Sequence, residues 1–245
     1  MNRIIAMWSG PRNISTAMMR SWENRPDTTA WDEPLYACFL LQTGIDHPGR
    51  EHVLEKHSHE TCYESVVERL LADIQTPIFY QKHIAHHLLD DMDRSWMDDE
   101  RVDHCFLIRD PREVILSLHK RFPGMELRDT GLPQQVEIFQ RRLEVTGQTP
   151  PVIDARDVLE DPGGTLGALC DRLDIPFVDS MLSWPEGPRA CDGAWADWWY
   201  DSVRASTEFA AWSPREGDVP DHLGPVHDAC QALYEQLHVH RIRGT

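Results

Sequence analysis

The chain has 245 residues and carries 24 Lys and Arg against 41 Asp and Glu, a formal net charge of −17. That length supports one large α/β core without forcing a division into two domains. The negative balance works against nucleic acid or an anionic membrane as a partner, so any anion site must be local and basic. The run Arg3-Ile4-Ile5-Ala6-Met7-Trp8 is too short for the apolar region of a signal peptide. No stretch approaches the roughly 20 apolar residues of a membrane span. Cys38, Cys62, Cys105, Cys170, Cys191 and Cys230 are scattered without a CxxC pair or regular spacing. They read as reduced thiols of a cytoplasmic protein, with neither a disulfide framework nor a zinc site.

Taken in order, short apolar runs at 4–8, 28–31, 78–81, 105–108 and 152–154 alternate with helical patterns. Alternation of this kind predicts a three-layer α/β sandwich around a central, mostly parallel five-stranded sheet. The first helix carries Ile14, Ala17, Met18 and Trp22, and the next carries Val66, Leu70 and Ile74. Val114, Leu118 and Phe122 mark a third. Leu166, Leu169, Cys170 and Leu173 mark another, begun by the turn Asp161-Pro162-Gly163-Gly164. From Trp184 the texture changes, with Trp195, Trp198, Trp199 and Trp212 set among Pro, Gly and Asp. This segment, about 184–215, reads as a lid or packed surface loop within a single domain, 1–245.

Two strand ends carry basic and hydroxyl groups. The first strand runs into Ser9-Gly10-Pro11-Arg12-Asn13-Ile14-Ser15-Thr16, after which a helix starts. Loop N–H groups, with the positive end of the helix dipole behind them, make an anion cradle. Arg12 adds charge, while Ser15 and Thr16 add hydroxyl donors unless one of them merely caps the helix. The segment lacks the second glycine and the Lys-Ser/Thr pair of GxxxxGK[ST], which disfavours a Mg²⁺-nucleotide kinase or hydrolase. The strand at 104–108 ends in Arg109-Asp110-Pro111, with Ser117 two helical turns on. Arg109 thus falls on the same rim as Arg12 unless it serves only as a surface partner of Asp110. Two separated basic clusters imply two separated phosphates.

Together these segments resemble the sulfotransferase family, whose members have a P-loop NTPase-like α/β fold. Gly10-Pro11-Arg12-Asn13-Ile14-Ser15-Thr16 is similar to the family's 5′-phosphosulfate loop G-x-R-[ST]-G-[ST]-[ST]. Arg109, Pro111 and Ser117 fit its 3′-phosphate motif R-x-P-x-x-x-x-x-S, and 152–159 with Pro162 and Leu166 resembles a third conserved stretch. The resemblance implies 3′-phosphoadenosine-5′-phosphosulfate (PAPS) as sulfuryl donor and a small-molecule hydroxyl or amine as acceptor, with no metal. Donor contacts would fall to Arg12, Asn13, Ile14, Ser15, Thr16, Arg109 and Ser117. Gly187-Pro188-Arg189 is a loose counterpart of the family's late basic loop and would place Arg189 over the 3′-phosphate. Ile14 stands where the family has glycine, so either the loop takes another path or donor binding is weakened.

Sulfuryl transfer needs a base for the acceptor proton and positive charge near the leaving oxygen. Lys82 and Arg12 suit the second role. Two groups compete for the first. Glu33, in Glu33-Pro34, resembles the carboxylate base of bacterial members, whereas His83, in Lys82-His83, resembles the Lys-x-His of animal enzymes one residue short. Histidine is naturally near neutrality, while Glu33 would need burial to raise its pKa. His83 and His87 would share a helical face at i, i+4, but without a third ligand they assign no metal. The late tryptophans and Trp8 are candidates to line the site. A non-catalytic nucleotide-binding protein that kept the fold stands as the alternative.

Overall fold

The computed structural model describes residues 2–244. Five strands, β1 (Arg3–Ser9), β2 (Thr28–Asp32), β3 (Ile78–Ile84), β4 (Val102–Ile108) and β5 (Val152–Asp154), form one sheet in the order β2-β3-β1-β4-β5. Every pairing is parallel. Such strands are covered on both faces, which is why β1 and β4 read as nearly continuous apolar runs. Ile242 N–H donates to the Val152 carbonyl at 2.8 Å on the outer edge of β5.

Eleven α-helices intervene among the described residues: α1 (Ser15–Glu23), α2 (Tyr36–Thr43), α3 (Arg50–Lys56), α4 (Tyr63–Leu70), α5 (Pro111–Leu118), α6 (Leu132–Thr146), α7 (Ala155–Glu160), α8 (Pro162–Arg172), α9 (Ala196–Trp199), α10 (Asp201–Arg204) and α11 (Gly224–His238). One face of the sheet, carrying Ile5, Met7, Tyr80 and Leu107, packs on Met18 and Trp22 of α1 and Leu166 and Leu169 of α8. The opposite face, carrying Ile4, Trp8, Phe79 and Phe106, packs on Val66 and Leu70 of α4, Phe139 of α6 and Leu237 of α11. The three layers of the sequence reading are thus present.

Alternation along β3 decides which polar groups share a face. In register Met7 lies beside Lys82 and Trp8 beside His83, while Asp32 of β2 lies beside Lys82. Successive strand residues point to opposite faces, so Lys82 and His83 separate. Residues 184–215 pack against the first face, burying Trp184, Trp195 and Tyr200. Among the described residues no helix is long and apolar enough to cross a membrane.

Candidate active site

Where β1 ends, the chain turns under steric control. A Cβ on Gly10 would lie 2.2 Å from the Thr130 carbonyl oxygen, so only glycine passes there. Arg12 (φ 64°) and Ile14 (φ 55°) then take left-handed backbone. The first backbone bond of α1 joins Met18 N–H to the Ile14 carbonyl at 3.0 Å, and no side chain caps the helix. The N–H groups of Ser15, Thr16 and Ala17 therefore have no partner within the helix, and all three residues line a cavity of about 800 Å³. Asn13 Nδ2 donates to the Leu107 carbonyl at 3.2 Å and pins the loop to β4.

Ile14, for which the sequence left open another loop path or weaker donor binding, itself adopts the left-handed turn. Its side chain packs against the α1 face of the core, which holds it there. A β-branched residue in that region stores roughly 1–3 kcal/mol. Ile14→Gly is accordingly expected to cost less than about 1 kcal/mol in chemical denaturation, because relief of strain offsets lost packing. An ordinary buried isoleucine loses about 2–5 kcal/mol on truncation; a loss in that range at Ile14 would refute stored strain.

Arg12 joins the loop after β1 to the start of α5. Its Nε donates to Ser117 Oγ at 2.9 Å, and its carbonyl accepts from Arg109 Nη1 at 2.9 Å. Arg109 pairs not with Asp110 but with Glu113, Nη2 to Oε2 at 2.7 Å. Asp110 instead caps α5 by accepting from Arg112 N–H at 2.8 Å. Burial, and after it the neighbouring guanidinium groups of Arg215, Arg121 and Arg109, lower the pKa of Arg12. Guanidinium groups gathered in this way make the local potential positive despite the acidic balance of the chain.

Arg189, expected at this cluster, is elsewhere. Its Nη2 pairs with Glu23 at 2.6 Å and its N–H donates to Asp192 at 2.9 Å, outside the cavity lining. The late arginine that does line the cavity is Arg215, whose carbonyl accepts from Arg112 at 2.9 Å. Its sequence signal, Pro214-Arg215-Glu216-Gly217, was as good a match for a late basic loop as Gly187-Pro188-Arg189.

The cavity wall at the ends of β2 and β3 holds a buried ionic network. Lys82 Nζ donates to Asp32 Oδ1 at 2.9 Å, Glu33 Oε1 at 2.7 Å and the Tyr200 hydroxyl at 2.5 Å. Tyr200 donates to Asp32 Oδ2 at 2.7 Å, and Gly193 N–H reaches the same oxygen at 3.1 Å. Burial opposes the charge of Lys82, but the two carboxylates outweigh it and its pKa rises. Burial likewise pushes Glu33 up, against the pull of Lys82. Glu33 sits at φ 41°, so three of the four non-glycine residues with positive φ among the described residues, Arg12, Ile14 and Glu33, line this cavity. Clustered backbone strain of this kind marks a site rather than a framework.

His83 does not reach the cavity. It stacks on Trp8 with ring centroids 4.3 Å apart, next to Trp96, on the other face of the sheet, where burial and His104 hold it down to about 3. Trp8 is fully buried and donates to His104 Nδ1 at 2.9 Å, so it too lies away from the site. Because His83 is in β3, it shares no helical face with His87. The imidazoles that do line the cavity are His47, His86 and His87, among Tyr36, Phe39, Phe122 and Trp199. Among the described residues no cluster of three or more His, Cys, Asp or Glu is arranged to hold a metal ion. The third stretch is structural: Asp154 caps α7 through Arg156 N–H at 2.7 Å and accepts from Tyr234 at 2.7 Å.

A family model described as "Sulfotransferase domain" matches residues 2–235. Two Arabidopsis thaliana proteins, branched-chain-amino-acid aminotransferase-like proteins 1 and 2, are 42% identical over 209 residues and 36% identical over 242. These matches cover 85% and 97% of this chain but 37% and 42% of theirs, so the chain spans about two fifths of those relatives. Among solved structures, a sulfotransferase from Alicyclobacillus acidocaldarius superposes with a TM-score of 0.56 at 13% identity, covering 99% of this chain and 97% of its own. The sulfotransferase domain of the Synechococcus PCC 7002 olefin synthase gives 0.51 at 16% identity, covering 93% and 94%. At these identities the structures establish a shared fold.

Proposed function

Because this chain belongs to the sulfotransferase family, we propose that it transfers a sulfuryl group from PAPS to a hydroxyl of a small-molecule acceptor. The observation that carries this reading is a single cavity lined both by an N–H cradle with converging arginines and by a carboxylate with one oxygen free. The residues fit a nucleotide with two separated phosphates. Ser15, Thr16 and Ala17 N–H with Arg12 would hold one, and Arg109, Ser117 and Arg215 the other. The bound donor supplies an activated sulfuryl group and a phosphate leaving group.

Glu33 Oε1 is occupied by Lys82 at 2.7 Å, which leaves Oε2 to accept the acceptor proton. Burial raises the proton affinity of this carboxylate, bringing it closer to what a base at neutral pH requires. Lys82, fixed by Asp32 and Tyr200, keeps Glu33 oriented and supplies positive charge in a wall shielded from water. The presence of this ionic network beside the cradle favours catalysis over nucleotide binding alone.

Adenosine 3′,5′-bisphosphate is expected to raise the melting temperature, since a ligand that binds only the folded state stabilises it. Arg12→Ala should weaken that binding about tenfold or more, the weight of one charge-assisted hydrogen bond. Labelled donor and a metabolite extract should then yield a sulfated product by mass spectrometry. Absence of any thermal shift at millimolar bisphosphate would end the reading; a shift with no product from any acceptor would leave a nucleotide-binding protein.

A further inference from the structure

Beside the free oxygen of Glu33 stands a second polar atom for which the proposed chemistry has no use. His87 Nδ1 lies 3.9 Å from Glu33 Oε2, is buried, and has no hydrogen-bond partner. A separation of 3.9 Å is too long for these two to satisfy each other. Aromatic neighbours hold the plane of the imidazole: Tyr36 stacks on it at 4.7 Å and 18°, Phe39 packs at 4.8 Å, and His86 meets it edge-on at 4.6 Å. A buried polar atom without a partner costs about 1–3 kcal/mol and calls for an explanation. Since His87 faces the cavity, a ligand can provide it.

We propose, on the footing of the sulfotransferase reading, that the acceptor is a molecule with a flat or apolar body and two hydroxyls on adjacent carbons, one set on Glu33 for transfer and the other read by His87. Two polar atoms 3.9 Å apart on one wall suit two neighbouring groups, each within hydrogen-bond reach of its own partner. A hydroxyl suits Nδ1 in either imidazole tautomer, because it can both donate and accept; an ammonium can only donate. Tyr36, Phe39, Phe122 and Trp199 supply flat apolar surface for the remainder of the molecule.

The test uses three acceptors on one ring system, cis-indane-1,2-diol, indan-1-ol and cis-1-amino-2-indanol, with PAPS as donor and adenosine 3′,5′-bisphosphate binding followed in parallel. The diol should exceed the mono-alcohol in kcat/KM by about tenfold, one buried hydrogen bond's worth, and the protonated amino-alcohol, which can only donate to Nδ1, should fall below the diol. His87→Leu should bring the diol to mono-alcohol ratio near one, while His87→Asn, which keeps a polar atom near the place of Nδ1, should retain the preference. Should the leucine variant fail to fold, the wild-type ranking decides alone. A mono-alcohol or amino-alcohol that equals or beats the diol overturns the proposal, as does a ratio unmoved by His87→Leu. Bisphosphate binding without sulfation of any of the three overturns it while leaving the donor reading in place; no bisphosphate binding removes both.

Discussion

Glu33→Gln should lower kcat by about 10²–10⁴-fold, the usual contribution of a positioned general base, while leaving the fold and the bisphosphate thermal shift intact. Glutamine is nearly isosteric, and its carbonyl can still accept from Lys82, which donates to Glu33 Oε1 at 2.7 Å. The lost group is the one at the Oε2 position, which becomes an amide that cannot take a proton. The effect should therefore fall on kcat more than on acceptor KM, and single-turnover rates should fall as far as steady-state ones. With the base intact, kcat should rise with pH through an apparent pKa above the ordinary carboxylate value, because burial raises Glu33. Retention of a tenth or more of wild-type kcat by Glu33→Gln would move the base to another group, and His87, 3.9 Å from Oε2, is the imidazole next to it. Lys82→Ala is a poor substitute test. It strands Asp32 and Glu33 as unpaired buried carboxylates, a change that typically costs about 3–5 kcal/mol of stability.

The contrast between Lys82 and His83 shows where the sequence was legible and where it was not. In the sequence the run assigned to β3 stops at Gln81, and from there two adjacent polar residues both look available to the rim. The strand in fact continues to Ile84. Lys82 can remain in a buried strand because Asp32 and Glu33 neutralise it, partners that no local pattern reveals. Once the strand is extended, alternation allows only one of the two neighbours to face the site. Tyr200 was missed for a related reason: it meets Asp32 from 168 positions away. The loop after β1, by contrast, was readable because strand, turn and helix start are contiguous. The helices α6 and α11 went unread because their stripes are blurred. Gln134, Gln135 and Arg142 are buried polar residues within α6, and α11 fully buries only Cys230 and Leu237.

The same burial that removes His83 from the chemistry makes the fold sensitive to acid. Burial holds His83, His86 and His104 down to about 3, and it depresses His87 as well. In the unfolded chain each would titrate near its ordinary value of 6.5. Below that pH the unfolded state binds protons that the folded state refuses, so stability falls as pH falls. Between pH 7.5 and 5.5 each histidine should remove up to about 1.4 kcal/mol, or up to about 5.5 kcal/mol for the four. Glu33 and Asp154 work in the opposite sense, since burial raises both and their folded forms take up protons first. Their compensation begins mainly below this window, nearer the carboxylate range. Urea midpoints should therefore fall steeply from pH 7.5 to 5.5. His83→Phe isolates one contribution: phenylalanine can keep the stack on Trp8 and removes a ring whose Nδ1 has no partner. That variant should gain up to about 1.4 kcal/mol on wild type over the same interval. Wild-type stability constant to within about 1 kcal/mol across it would mean that these imidazoles are not held neutral in the interior.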